Sequence, residues 1–436
     1  MPLILLARRL RRLLGVYLLA VALVTAVYAA LNARAMHPWI DGEWVINYSA
    51  GLVRRGLLGE MLLLGSRGLH LPLFGLALVL QLLVYAWFYL GVYRLSKGVR
   101  WSLLLIAALL SPATLAFTVL DPPSSVRKEA LLFAVLASVL HTVLAAQERR
   151  VAAAAMGRVQ VVLLVAAPML VLTHEALFCY LPYLFAAPLL WVPSWRAGLR
   201  VVALPIVLAM VAAGLVLTHP GNAVQAAGIC DSVAGTMGAQ LSVADVNAPC
   251  GGAIAYLGKD RDTAHRETMR AAQFYRYRTR YQLPMVLSLV PAALLLGRRI
   301  RRRLPEEMQA TRVVMGCAVV ALLASLPLFF VARDWGRWMH LHATCLMLLL
   351  LAVERPPMAL LHRTVPGESG LVLATEGWQR VAAGGALLLY ATAWTLPAVG
   401  IFPGRYGYLD LWRYVTRYKA HEPRQQMDAP ANQPLR

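Results

Sequence analysis

The chain alternates between long apolar runs and short polar breaks. Runs of about 17 to 22 apolar residues recur along its whole length, and a helix needs about 20 to cross a bilayer. Eleven segments stand out, at 13–31, 72–93, 101–119, 129–146, 159–173, 176–192, 201–218, 283–297, 313–331, 342–353 and 381–400. They are filled with Leu, Val and Ala and lack the strict alternation of a membrane β-barrel strand. The pattern predicts an all-α fold, a polytopic transmembrane helical bundle of about eleven helices. Residues 1–436 read as one membrane domain, with no internal repeat and no low-complexity tract. The start, "MPLILLARRLRRLLGVYLLAVALVTAVYAALNA", has a basic head and a long apolar core. It lacks a convincing small-residue cleavage pattern, so a retained first helix is expected.

Composition agrees. Hydrophobic residues make up 59% and charged residues 14%, where a soluble domain carries roughly 25% charged residues. The net charge of +21 invites a nucleic-acid reading. In a membrane protein, however, basic residues serve topology and lipid headgroups, and no nucleic-acid partner is expected. Membrane lipids are.

The positive-inside rule orients the bundle. "ARRLRRLL" argues for a cytoplasmic start, and alternation then places "YRLSKGVR", "QERRVAAAAMGR", "PSWRAGLR", "GRRIRRRLPEEMQATR" and 355–380 on the same side. These hold 21 of the 42 Lys and Arg, and 13 of the others lie in a long loop and a tail where the rule is weak. The other face carries the first loop (32–71), the large loop (219–282) and an interfacial tail (401–436).

The segments rich in mixed charge, His and Trp all fall on that face. In the first loop, Asp41 and Glu43 lie between Trp39 and Trp44. Carboxylates there suit a general base, a metal ligand or a partner for a cation. In "INYSAGLVRRGLLGE", Arg54 and Arg55 sit among glycines, and guanidinium groups bind phosphate through two parallel bonds. "LDPPSSVRKEA" places Asp121, Arg127, Lys128 and Glu129 at a helix start, which suits an anion. "THEALFCY" puts His174 and Glu175 in a short turn near the hydrocarbon, where ionisable groups are costly. "ARDWGRWMHLH" offers Arg333, Asp334, Arg337 and His340. From these residues the expected roles follow. Asp41, Glu43, His174 and Glu175 are candidate catalytic groups, and Arg54, Arg55, Arg127, Lys128, Arg333 and Arg337 candidate phosphate ligands. Asp121, Asp334 and His340 support them. Cys230 and Cys250 are candidates for a disulfide in an oxidising compartment. Neither metal-ligand spacing nor a nucleotide, GxSxG or HExxH motif is present, so no cofactor is expected, and a divalent metal on Asp41, Glu43 and Glu175 stays an open alternative that the spacing does not support.

With Asp41 and Glu43 in the first outer loop, the chain resembles the GT-C superfamily of integral-membrane glycosyltransferases. It is also similar, more loosely, to bacterial surface-polysaccharide polymerases. In the GT-C family a catalytic Asp or Glu typically follows the first helix. "GLVRRGLLG" further resembles a motif of bacterial multipass proteins of this kind. The resemblance implies a transferase using a polyprenyl-(di)phosphate-linked sugar at the periplasmic face of a bacterial inner membrane, with Asp41 as the first candidate base. It covers topology and the first loop; the large soluble C-terminal domain of many GT-C enzymes is absent. Three other readings remain open: a flippase or transporter for a lipid-linked glycan, a membrane acyltransferase with His174 as base, and a noncatalytic assembly factor.

Overall fold

The computed structural model describes residues 2–122, 125–148, 152–190, 195–245, 248–302, 305–355, 377–398 and 408. Among them no strand occurs, and eight helices are long and apolar enough to cross a membrane. They are α1 (Pro2–Ala35), α4 (Leu73–Leu95), α7 (Ala130–Glu148), α8 (Ala152–Thr173), α10 (Trp195–Thr218), α14 (Gln282–Arg302), α15 (Pro305–Ser325) and α17 (Trp335–Val353). Shorter helices join them: α2 (Asp41–Trp44), α3 (Gly56–Leu69), α5 (Leu103–Leu110), α6 (Phe117–Leu120) and α9 (Leu181–Leu189). The last set is α11 (Ala223–Met237), α12 (Arg261–Phe274), α13 (Tyr277–Arg280), α16 (Leu328–Val331) and α18 (Gly377–Thr392). The expected interfacial tail at 401–436 lies outside the described residues except for Tyr408, whose hydroxyl meets that of Tyr17 at 2.6 Å.

The described parts of all eleven apolar segments are largely helical, but three are not single helices long enough to cross a membrane. The 101–119 segment is the clearest departure. It breaks after eight residues at Ser111–Pro112, because the residue before a proline is driven out of the helical region and Ser111 takes ψ 133°. Thr114 then caps the broken end, its hydroxyl donating to Ala108 O at 2.8 Å. The 176–192 and 381–400 segments are short helices within 175–189 and 381–392.

Helix α17 is the axis of the bundle. Every residue from Gly336 to Val353 is buried, packed among α4, α5, α7, α9, α14 and α15. The outer helices bury only one stripe. Leu13, Val16, Leu19 and Leu23 on α1, and Val319, Val320 and Leu323 on α15, stay exposed. Apolar faces of that extent would be a liability in water and fit a lipid surround.

The large loop is not a separate body. Its first half caps the first loop: Ala253 N donates to Pro38 O at 3.0 Å, Arg54 N to His219 O at 2.9 Å, and Asn47 to Ser232 at 3.0 Å. Cys230 and Cys250 form a disulfide with Cα atoms 5.6 Å apart, which ties α11 to the segment resting on Pro38. Its second half, α12 and α13, packs against α16 and α14.

Two glycines permit close backbone approach. A Cβ at Gly59 would lie 1.9 Å from Ile46 O, and one at Gly336 would lie 1.9 Å from Pro397 O. Gly68 has nothing within 4 Å. Gly59→Ala is therefore expected to destabilise the protein by about 1–3 kcal/mol, while Gly68→Ala leaves stability unchanged or slightly raised. Thermal unfolding of both variants in detergent checks this.

Candidate functional site

Charged residues from the first loop, the 125–129 turn, the 174–175 turn and the start of α17 meet at one end of the bundle. At their centre is Glu43, about 1% exposed. Its Oε2 accepts from Arg127 Nη1 at 3.0 Å, and its Oε1 lies 3.1 Å from His174 Nε2. Arg55 and Arg337 approach Oε1 at 3.8 and 3.9 Å. His174 Nδ1 accepts from Ala176 N at 3.2 Å. The ring proton therefore sits on Nε2 and faces the carboxylate.

The local backbone explains how these groups converge. Val126 is buried with φ +61°, a conformation that β-branched residues rarely adopt and that costs of order 1–3 kcal/mol. Trp44 Nε1 holds it by donating to Val126 O at 2.9 Å. The turn sends successive side chains to different partners. Arg127 reaches Glu43 and Trp39 O (2.6 Å), and Lys128 Nζ donates to Arg55 O at 2.9 Å and Thr173 O at 3.5 Å. Glu129 pairs with Arg337, whose other arm donates to Asp334 at 2.8 Å.

Above this buried tier lies a half-exposed rim. Arg55 Nε and Nη2 form a bidentate pair with Glu175 at 2.6–3.0 Å, and Arg54 stands 3.7 Å from the same carboxylate. These three side chains are 20–22% exposed. Tyr256 of the capping segment stacks obliquely on Trp39, ring centroids 5.9 Å apart, within electrostatic reach of Arg54, Arg55 and Arg333.

The charges nearly balance: Arg54, Arg55, Arg127, Lys128 and Arg337 face Glu43, Glu129, Glu175 and Asp334. Burial alone would raise the Glu43 carboxyl, but His174, Arg337 and Arg127 outweigh it and hold Glu43 well below the usual range. Burial pushes the Lys128 ammonium down to about 8 against the pull of Glu43. Two buried carboxylate oxygens, Glu43 Oε1 and Glu129 Oε2, keep unfilled hydrogen-bonding capacity in the same space. Among the described residues no group of three or more His, Cys, Asp or Glu is arranged to hold a metal ion.

Other expected site residues lie elsewhere. Both oxygens of Asp41 are engaged, Oδ2 by His37 N at 2.9 Å and Oδ1 by Gln81 Nε2 at 3.1 Å. Burial pushes its carboxyl up to about 6. Asp121 accepts from Ala398 N and anchors that segment. Arg333 pairs with Glu267 at 2.9 Å, outside the cluster. His340 stacks on Phe117 with centroids 4.2 Å apart and bonds Ala113 O at 2.8 Å. Within the bundle, His342 bridges Tyr183 (2.8 Å) and Ser325 (2.9 Å). Ser325 Oγ itself donates to Leu322 O, so this chain is satisfied with a neutral imidazole.

Comparison with family models, curated proteins and solved structures finds no match to this chain. Its function has to be argued from the cluster itself.

The opposite end carries a second buried network that its plain basic sequence did not announce. Arg299 donates to Val353 O at 2.8 Å and to Glu354 at 3.2 Å, and its Nε donates to Thr311 at 3.2 Å. Arg100 pairs with Glu307 at 3.2 Å. Tyr256, Gln81 and Glu129 also had no assigned role. Glu129 follows Lys128 directly at a helix start, a signal that was readable; the contacts of Gln81 and Tyr256 arise only through packing.

Removing one member of a buried charge network strands its partners. Arg337→Met is expected to cost about 3–5 kcal/mol, against about 0–1 kcal/mol for Arg333→Met in a half-exposed pair. Unfolding in detergent compares them. Asp41 gives a pH signature of opposite cause. Its folded pKa of about 6 lies above the ordinary aspartate value of 3.8, so the folded state binds the extra proton. Stability from this group then falls as pH rises from about 4 to about 6. In Asp41→Asn, Gln81 can turn its amide to accept from the new Nδ2. That variant is expected to keep the fold, flatten this part of the pH profile and melt no lower than the parent at pH 7.5.

Proposed function

We propose that this end of the bundle is the active site of a membrane glycosyltransferase or polysaccharide polymerase that uses a polyprenyl-(di)phosphate-linked sugar. In this reading it faces the periplasm from the bacterial inner membrane. The observation that carries it is the two-tier arrangement of Glu43. An ionised, buried carboxylate with open capacity on Oε1 lies beneath a half-exposed rim of Arg54 and Arg55.

The chemistry follows from that arrangement. The donor phosphate displaces Glu175 from Arg55 and takes the same bidentate geometry, with Arg54 adding a second charge. The acceptor hydroxyl sits over Glu43 Oε1, which takes its proton as the oxygen bonds to the anomeric carbon. The bond from that carbon to the phosphate oxygen breaks, and the arginines hold the departing charge. His174 fixes the direction of Oε1, and Arg127 that of Oε2. Trp39 and Tyr256 offer apolar faces beside the rim on which a sugar ring can lie. Glu43 thus replaces Asp41 as first choice for the base, because both Asp41 oxygens are committed to His37 and Gln81.

The near-complete internal pairing of the charges favours one second reading, a noncatalytic clasp that holds the first loop to the bundle. Glu43→Gln separates the two. A glutamine keeps the volume and one acceptor but takes no proton. The expected result is loss of the cell-surface glycan product by at least about 100-fold, with normal membrane insertion and a smaller loss of stability than in Arg337→Met, because the amide still accepts from Arg127. Asp41→Asn should retain product. Glycan profiling of a deletion strain carrying each variant reads the outcome, and full product from Glu43→Gln removes the catalytic reading.

A further inference from the structure

A separate groove lies on the outside of the same end of the bundle, where α12 and α13 meet α16 and the start of α17. Its volume is about 450 Å³, within the roughly 300–1,000 Å³ of small-molecule sites. Met269, Phe329, Phe330 and Trp335 supply an apolar wall. Arg276 and Arg278 stand at its edge, both exposed. Among the described residues neither guanidinium has an ion-pair partner, unlike Arg54, Arg55, Arg127, Arg333 and Arg337.

We infer that this groove binds an anionic phospholipid of the surrounding bilayer, one acyl chain lying against Phe329, Phe330 and Trp335 and the phosphate meeting Arg276 and Arg278. Charge complementarity selects the headgroup: two unpaired arginines beside an apolar channel match a chain that ends in a phosphate. Position selects a bilayer lipid over the reacting substrate. Trp335 and Arg337 are two residues apart on α17, about 200° around the helix. The groove side of α17 therefore faces away from Glu43. The neighbouring surface is already lipid-like, with Phe274 54%, Phe330 59%, Val331 50% and Leu283 64% exposed. Arg276 and Arg278 flank the start of a membrane-spanning stretch, Tyr277–Arg302, the level at which lipid phosphates lie.

The test uses the full-length protein purified in a neutral detergent and titrated in native mass spectrometry with phosphatidylglycerol or phosphatidylcholine. Phosphatidylglycerol is expected to be retained at a concentration about ten-fold lower than phosphatidylcholine, and Arg276→Gln with Arg278→Gln to remove that preference. Both substitutions are at exposed positions, so the variant folds. Ala272→Trp, which fills the groove, is expected to weaken retention of both lipids, and an unchanged melting point shows that it is folded. Equal retention of the two lipids, or a preference that survives the double variant, overturns the inference. So does a long-chain isoprenyl monophosphate that displaces phosphatidylglycerol at equal concentration, because the groove then belongs to a lipid-linked substrate. Displacement by inorganic phosphate alone overturns it as well, since the chain then contributes nothing. Failure of this inference leaves the proposal for Glu43 standing, because the two sites share no residue.

Discussion

A charge taken out of water at a membrane boundary has to be met by another charge or by fixed dipoles. Much of the upper bundle is organised around that requirement. Glu43 is about 1% exposed and is met from three directions, by the charges of Arg127 and Arg337 and by the imidazole of His174. Each of these partners, two guanidinium groups and an imidazole N–H, is delivered by a different element, so each element has one workable position. The left-handed turn at Val126 is part of the same solution, because it aims Arg127 and Lys128 at separate partners. The large loop's first half closes the first loop from above through hydrogen bonds, and its disulfide ties α11 to the segment that rests on Pro38.

Two tiers of charge have different properties. The buried tier, with Glu43, Glu129, Lys128 and Arg337, is shielded from salt and rigid. The rim, with Arg54, Arg55 and Glu175, is partly wet and can exchange partners at modest cost. A phosphate is a natural competitor for a carboxylate on arginine, because it offers the same paired oxygens with more charge. An incoming anion therefore finds its ligands already held in fork geometry by Glu175 and needs little reordering of side chains. In the proposed reading, the resting ion pair holds the place of the donor's phosphate.

The fold was legible because bilayer thickness imposes one length on every span. Apolar run length alone located helix in all eleven segments, eight of them in helices long enough to cross a membrane. The failure at 101–119 has a local cause, Pro112 within an apolar run, and hydropathy is blind to it. Sequence reading put the first loop, the 125–129 turn, the 174–175 turn and the start of α17 on one face, and their charged residues meet there, since mixed charge on the face that topology leaves free stands out. It could not rank residues within a loop. Asp41 and Glu43 are two apart and chemically alike, and only packing shows that Gln81 and His37 occupy one while His174 faces the other. The Arg299–Glu354 network escaped for a different reason: a basic loop with a topological duty looks the same whether or not its arginines also fold inward.

The clasp between Glu129 and Arg337 joins residues 208 positions apart in sequence. At 5–20 residues per second of synthesis, Glu129 precedes Arg337 by roughly 10–40 s. During that interval the bundle has neither its axial helix nor the guanidinium that balances Glu129, so the charged loops stay hydrated and the helices around them loosely packed. Insertion of α17 is then the event that both fills the core and dries the site. The order of the chain makes the cluster a late, all-at-once product of biogenesis: an unfinished copy holds its early charges in water.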